Sequence, residues 1–351
     1  MNAPLAPKLL VVGCGAIGGV VASHLLATGQ DASVLTTNRA IGEALLRDGF
    51  QVASDALSAG ARARAVLFDV ADVNPGFDYV LLAVQPPQVR AAVESIAGKL
   101  APHARVVCFQ NGLCEELVAE IVGAERVIGA VVAWGASMSS PGRYDRTSSG
   151  GFTLGRLGGG RDAPLEVLAR LLEAVGPVEL TDNLPGVRWS KLGINCAVST
   201  LGTISGTTLG RALKRRHARR LALEIVSEAV LVARAEEVRL EKVSGTVDLE
   251  WLALTPAERA AAGSSSLVAK HALILAVGAR YRRLRSSMLA AIERGRPPAI
   301  DFLNGEIVRR AQRHGIPVPV NSAARDWVWA IARGERQASP ESLRALYEAT
   351  R

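Results

Sequence analysis

The chain has 351 residues, 49% of them hydrophobic, enough to bury large cores and long enough for two domains. Its net charge of +8 would suit nucleic acid, but aromatic residues make up only 4% and no nucleic-acid module is legible, so no nucleic-acid partner is expected. No apolar run is long enough to span a bilayer and the N-terminus lacks a signal-peptide pattern, so a cytoplasmic protein without a membrane partner is expected.

After a short lead-in, 1–7, residues 8–12 read as a buried strand that runs into Gly13-Cys14-Gly15-Ala16-Ile17-Gly18. The glycines have the G-x-G-x-x-G spacing, and Ile17, Val20, Val21, Leu25 and Leu26 then mark an amphipathic helix. Each glycine has a physical reason. Gly13 permits a sharp turn out of the strand, Gly15 lets the backbone approach a pyrophosphate, and Gly18 lets the helix pack close to the sheet. The first N–H groups of that helix would face the phosphates. These residues are the expected dinucleotide cradle.

Residues 31–35 read as the second strand, followed by Thr36-Thr37-Asn38-Arg39. An NAD enzyme usually has Asp or Glu there, on the adenine ribose. Here no carboxylate repels a 2′-phosphate, while Thr36, Thr37 and Arg39 can bind one, so NADP is favoured over NAD. The alternative is that Arg39 is a solvated residue at a helix start.

A helical stretch at 39–48 leads to two short β-like pieces, 50–53 and 63–68. A buried strand at 79–84, a helix near 87–100 and a strand at 105–109 follow, the last opening into Gln110-Asn111-Gly112. From 126 to 155 the pattern is β-like again, with candidate strands at 127–134 and 151–155, followed by a helix at 163–175 and a strand at 178–180. This order predicts an α/β fold, a parallel sheet with helices on both faces. Ligands of such sheets sit beyond the carboxyl ends of the strands. Gly13–Gly18, Thr36–Arg39, Gln85 and Asn111 should therefore share one edge. Asn111 can bond a nicotinamide or a substrate, although Asn-Gly is also an ordinary turn dipeptide, and the pattern leaves both readings open.

Beyond residue 183 the strand signal stops and helices are expected at 187–201, 211–237, 265–294, 301–314 and 323–333. The predicted organisation is a Rossmann domain over 1–182 and an all-helical domain over 183–351. The basic runs at 211–220 and 280–285 read as solvated helix faces, with Leu213, Leu221 and Leu223 on the apolar side of the first. The four cysteines (Cys14, Cys108, Cys114, Cys196) form neither a C-x-x-C pair nor a zinc-like set with His, so reduced thiols and no metal are expected.

Lys191, Asn195 and Ser199 fall at intervals of four and would share one helix face among small and apolar neighbours. Partial burial lowers a lysine's pKa from about 10.4 towards neutrality, which suits a proton donor to a carbonyl oxygen. A snorkelling surface lysine fits the same pattern.

Taken together, the segments resemble the ketopantoate reductases (2-dehydropantoate 2-reductases) over nearly the whole chain. The resemblance rests on Gly13-Cys14-Gly15-Ala16-Ile17-Gly18, Gln110-Asn111-Gly112, Lys191-Leu192-Gly193-Ile194-Asn195 and Ser286-Ser287-Met288-Leu289. Ile300-Asp301-Phe302-Leu303-Asn304-Gly305 and His314-Gly315-Ile316-Pro317-Val318-Pro319 extend it. It implies NADPH-dependent reduction of a 2-oxo acid to a 2-hydroxy acid, with substrate held between a Rossmann and a helical domain, and a homodimer. It also implies Lys191 as general acid, Asn195 and Ser287 on the substrate, and Asn111 near the nicotinamide; Ser199, on the same helix face as Asn195, is expected at the substrate as well.

Three positions depart from the family pattern. Gln85 stands where a lysine is usual beside the cofactor, Ala299 where a glutamate usually holds the pantoyl hydroxyl, and Ser199 where an asparagine is common. Loss of Lys and Glu together removes one charge of each sign, leaves the general acid untouched and alters what the pocket recognises. The segment 245–266, with Trp251, is longer than the family usually needs. Two other classes stay open. A β-hydroxyacid dehydrogenase also carries Lys-x-x-x-Asn on a helix, but the Ser286–Leu289 and Ile300–Asp301 segments argue against it. A non-catalytic NADP-binding protein is opposed by the presence of Lys191 and Asn195.

Overall fold

The computed structural model describes residues 6–53, 60–243, 247–260 and 263–351, so most of the expected lead-in and parts of the 245–266 segment lie outside the described residues. Two compact units divide the chain, Met1–Leu184 and Pro185–Arg351.

The first unit begins β1 (Lys8–Val12), α1 (Ala16–Ala27), β2 (Asp31–Leu35), α2 (Arg39–Asp48), β3 (Gln51–Val52) and β4 (Val66–Leu67). It continues through β5 (Tyr79–Leu82), α3 (Val89–Ala97), β6 (Arg105–Cys108), α4 (Cys114–Val122) and β7 (Val127–Val132). Last come β8 (Ala136–Ser140), β9 (Arg143–Arg146), β10 (Phe152–Gly155), α5 (Ala163–Leu172) and β11 (Val178–Thr181). Eight strands form one sheet in the order β11-β10-β7-β6-β5-β1-β2-β4. All its pairings are parallel except β10 with β7. Strand β1 is covered on both faces, which is why its sequence is a continuous apolar run: Leu9, Leu10 and Val11 are at most 1% exposed. The chain winds outward from β1 in both directions. The topological switch point, where such folds bind ligands, is therefore between β1 and β5.

A second sheet, β3-β9-β8, was not expected from the sequence. The 127–134 piece stops at Val132, and the next residues form the hairpin β8–β9 around Gly142, whose φ is +74°. Its strands are polar and largely open to solvent on one side, so they lack the apolar alternation that announces a strand.

The second unit is helical: α6 (Leu184–Ser205), α7 (Leu209–Leu213), α8 (Arg216–Ala235), α9 (Leu249–Leu252), α10 (Pro256–Ala260) and α11 (Ser265–Arg280). It ends with α12 (Ser287–Ile292), α13 (Asn304–Arg313), α14 (Pro319–Ala332) and α15 (Pro340–Ala349). Two expected long helices are broken. The 211–237 stretch divides at Lys214 and Arg215, where the Arg219 guanidinium donates to the carbonyls of Leu213 and Lys214, each at 2.8 Å. Arg220 donates to the carbonyls of Glu258 and Arg259 at 3.2 and 3.3 Å, so these two arginines cap helices rather than coat a solvated face. The 265–294 stretch divides after Arg280, so the second basic run occupies a helix end and a turn. Helix α15 was not expected. Lys270 of α11 and Glu258 of α10 form a buried ion pair at 2.6 Å. Burial acts to raise the Glu258 carboxyl, but hydrogen bonds from Lys270, the Thr255 N–H and Ser266 outweigh it and hold it at about 2. No helix among the described residues is long and apolar enough to cross a membrane, and no His/Cys/Asp/Glu group among them could hold a metal ion.

Candidate active site

In the first unit the sheet order β6-β5-β1-β2 brings four expected segments to one edge: Gln110–Asn111, Gln85, the glycine turn and Thr36–Arg39. Gly13 has φ +96°, and a Cβ there would stand 2.9 Å from Val84 Cγ1 and 3.0 Å from Val84 N. A Cβ on Gly18 would lie 2.0 Å from the Gly13 carbonyl oxygen and 2.8 Å from Ala83 Cβ. Both glycines are therefore required by the protein's own packing. Gly15 differs, because a Cβ there would meet nothing within 4 Å. It caps α1 without a side chain, leaving open space beside the first N–H groups of a helix. A dinucleotide's pyrophosphate fits that cradle. Ala16 and Ile17 open α1, and Cys14 offers only its backbone, since its thiol is buried and pushed up to about 12 by that burial.

At the end of β2, Thr36 is buried and its N–H donates to the Leu67 carbonyl at 2.9 Å, which prolongs the pairing with β4. Thr37, Asn38 and Arg39 are exposed; the Asn38 side chain accepts from Ile41 N at 3.2 Å, and Arg39 is the first residue of α2. Gln85 is exposed just after β5, its N–H donating to Gln88 Oε1 at 3.2 Å. The buried Gln110 amide donates to the carbonyls of Leu82 and Val84 at 2.9 and 3.1 Å. It ties the ends of β5 and β6 together, with exposed Asn111 directly after it.

In the second unit Lys191, Asn195 and Ser199 lie on one face of α6, all half-buried, alongside half-buried Val187, Ile194 and Val198. The adjacent face carries Leu192, Cys196 and Thr200 into the core. Ser287, the expected substrate residue, is exposed at the start of α12. Its neighbour Ser286 turns inward. The Ser286 hydroxyl donates to the Ser199 carbonyl at 2.9 Å and lies 2.8 Å from Thr203 Oγ1. Behind α6, Thr200 donates to Asn304 at 2.6 Å, Asn304 to Asn321 at 2.9 Å, and Asn321 to Glu228 at 2.7 Å. Glu228 also accepts the N–H groups of Val320 and Asn321 at 2.9 and 2.8 Å. Burial pushes its carboxyl above the usual range, and those hydrogen bonds offset part of the rise. Ala299 is half-buried at the start of a single 3-10 turn, Ala299–Phe302.

Sequence reasoning missed these supports. Ser286 was legible as an N-cap, since its hydroxyl accepts from Leu289 N three residues on. Glu228 and Asn321 carried no local signal.

The family model described as ketopantoate reductase PanE/ApbA matches residues 9–159, and its C-terminal counterpart matches 183–331. A 2-dehydropantoate 2-reductase of Caulobacter vibrioides is 30% identical over 324 residues, covering 90% of this chain and 96% of that protein. Among solved structures, a PanE/ApbA family ketopantoate reductase from Ralstonia eutropha JMP134 has a TM-score of 0.77 at 25% identity, over 94% of this chain and all of that one. A D-mandelate dehydrogenase, solved with NADH and anilino(oxo)acetate, has the same fold with a TM-score of 0.77 at 21% identity, over 93% and 99% of the two chains. With both family models matched in order along the chain, this protein belongs to the ketopantoate reductase PanE/ApbA family.

Proposed function

We propose that the protein is an NADPH-dependent oxidoreductase that reduces a 2-oxo acid to the 2-hydroxy acid, ketopantoate being the family's substrate. The observation that carries this reading is the half-buried Lys191-Asn195-Ser199 face of α6, in a chain whose other unit offers an open glycine cradle. The dinucleotide, when bound, supplies the hydride. Lys191 Nζ holds the proton that the carbonyl oxygen takes up as the carbonyl carbon is reduced. Asn195, Ser199 and Ser287 hold the substrate's polar groups, and Asn111 lies against the nicotinamide. The backbone of Gly13, Cys14, Gly15, Ala16, Ile17 and Gly18 holds the pyrophosphate, with Gln85 beside it, and the exposed Thr37 and Arg39 take the 2′-phosphate, while buried Thr36 ends β2 beneath them. Residues 1–182 are then the NADP-binding domain and 183–351 the substrate and dimerisation domain. A homodimer is supported by the exposed apolar side of α11, where Val268 is 65% and Leu275 43% exposed. The cytoplasm is the compartment that suits four cysteines that form no disulfide. A panel of 2-oxo acids with NADPH, followed by loss of nicotinamide absorbance, tests the whole reading; oxidation with none of them would overturn it.

Arg39→Ala should raise the NADPH Kd about 10- to 100-fold, the worth of a charge-assisted hydrogen bond, and the NADH Kd less than about twofold. Equal losses would mean that Arg39 does not read the phosphate.

A 2-oxo acid other than ketopantoate is the second reading, favoured by Gln85 and Ala299. An alanine cannot accept a hydrogen bond from a substrate hydroxyl, and sites built for such a bond discriminate steeply. Gln85→Lys with Ala299→Glu should raise kcat/KM for ketopantoate by about 10-fold or more. No change would show that these positions do not set specificity.

A further inference from the structure

Tyr144 on β9 is 1% exposed, and its ring occupies the space where a side chain on Gly19 would stand. A Cβ on Gly19 would lie 2.1 Å from Tyr144 Cε1 and 2.3 Å from Cζ, so only glycine at this position of α1 admits the ring. Phe50 stacks on the ring, with centroids 6.0 Å apart. The hydroxyl, carried by this packing to the tip of the glycine turn, donates to the Cys14 carbonyl oxygen at 2.9 Å.

That contact controls a peptide plane. In a planar trans peptide the C=O and the following N–H point in opposite directions. Holding the Cys14 carbonyl against the hairpin therefore turns the Gly15 N–H away from it. Gly15, on one side of this plane, has no Cβ to resist its rotation, so the plane needs an outside contact to hold it. A rotated plane would present a carbonyl oxygen where the N–H now lies, and a carbonyl repels phosphate.

We propose that Tyr144 is a positioning residue for the cofactor: it locks the Cys14–Gly15 peptide so that the Gly15 N–H is presented to the pyrophosphate. This rests on the dinucleotide reading above. The small β3-β9-β8 sheet then serves the nucleotide site through Tyr144. Its role is to bring one hydroxyl to one carbonyl.

The test is Tyr144→Phe, which keeps every ring contact with Gly19 and Phe50 and removes only the O–H. NADPH and NADH are titrated by nicotinamide fluorescence, and adenosine 2′-monophosphate, which lacks a pyrophosphate, by calorimetry. Loss of one oriented hydrogen bond should raise both dinucleotide Kd values about 3- to 10-fold. The adenosine 2′-monophosphate Kd should stay within about twofold, and kcat at saturating NADPH likewise, because neither depends on that amide. Unchanged dinucleotide affinity in Tyr144→Phe would overturn the proposal, and so would equal weakening of the mononucleotide, which a general loosening of the domain would cause. Wild-type protein that binds neither dinucleotide would overturn the cofactor reading itself, and this inference with it.

Discussion

Replacing Lys191 with alanine should lower kcat by about 10²–10⁴-fold while the NADPH Kd changes less than about twofold. The nucleotide cradle belongs to the first unit and Lys191 to the second, so removing the amine should leave cofactor affinity standing. The proton must reach the carbonyl oxygen as its carbon gains hydride, and without the ammonium a developing alkoxide would have no positioned donor. Lys191→Arg sharpens the test. It preserves the positive charge but not the ability to release a proton, since a guanidinium stays charged throughout the working range. If charge alone were needed, arginine would restore much of the rate. A proton donor requires that both variants remain slow. A near-normal rate in Lys191→Ala would remove this residue from the chemistry altogether.

What the chain disclosed in advance follows from how each element is buried. Strands β1, β5 and β6 are sandwiched in a parallel sheet, so their sequences are uninterrupted apolar runs, and the glycine turn could be located by what flanks it. The hairpin β8–β9 has one open side and polar residues on it, and Tyr144 is the single fully buried side chain that gives it purpose. The helix breaks were hidden for another reason. Neither 214–215 nor 281–286 contains Gly or Pro; the end of α7 is satisfied by a side chain from the next helix, the Arg219 guanidinium, and the second break by Leu209 N donating to the Leu284 carbonyl at 2.9 Å. The four-residue spacing of Lys191, Asn195 and Ser199 was visible because it is local. The network that pins the back of α6 was not. Its links join residues 104, 17 and 93 positions apart, and only the folded chain brings Thr200, Asn304, Asn321 and Glu228 into line.

The glycine turn offers a way to separate folding from binding, because two of its glycines are there for different reasons. Gly15→Ala should leave the apo protein folded and within about 1 kcal/mol of wild-type stability, the difference between glycine and alanine at an N-cap. Its φ of −70° and ψ of −167° are ordinary for alanine, and the added methyl meets no protein atom within 4 Å. Yet that empty space is where a pyrophosphate must approach the backbone, so NADPH affinity should fall about 100-fold or more. Gly18→Ala should behave in the opposite order. Its methyl would lie 2.0 Å from the Gly13 carbonyl oxygen, so α1 must move off the sheet, with stability falling by about 1–3 kcal/mol or more before any ligand is added. Melting curves and NADPH titrations on the two variants read both quantities. Gly15→Ala that binds NADPH as wild type would mean that no phosphate lies against this turn, and the cofactor would have to be sought elsewhere on the sheet edge. Gly15→Ala that melts like Gly18→Ala would mean that the open space beside Gly15 is closed in solution.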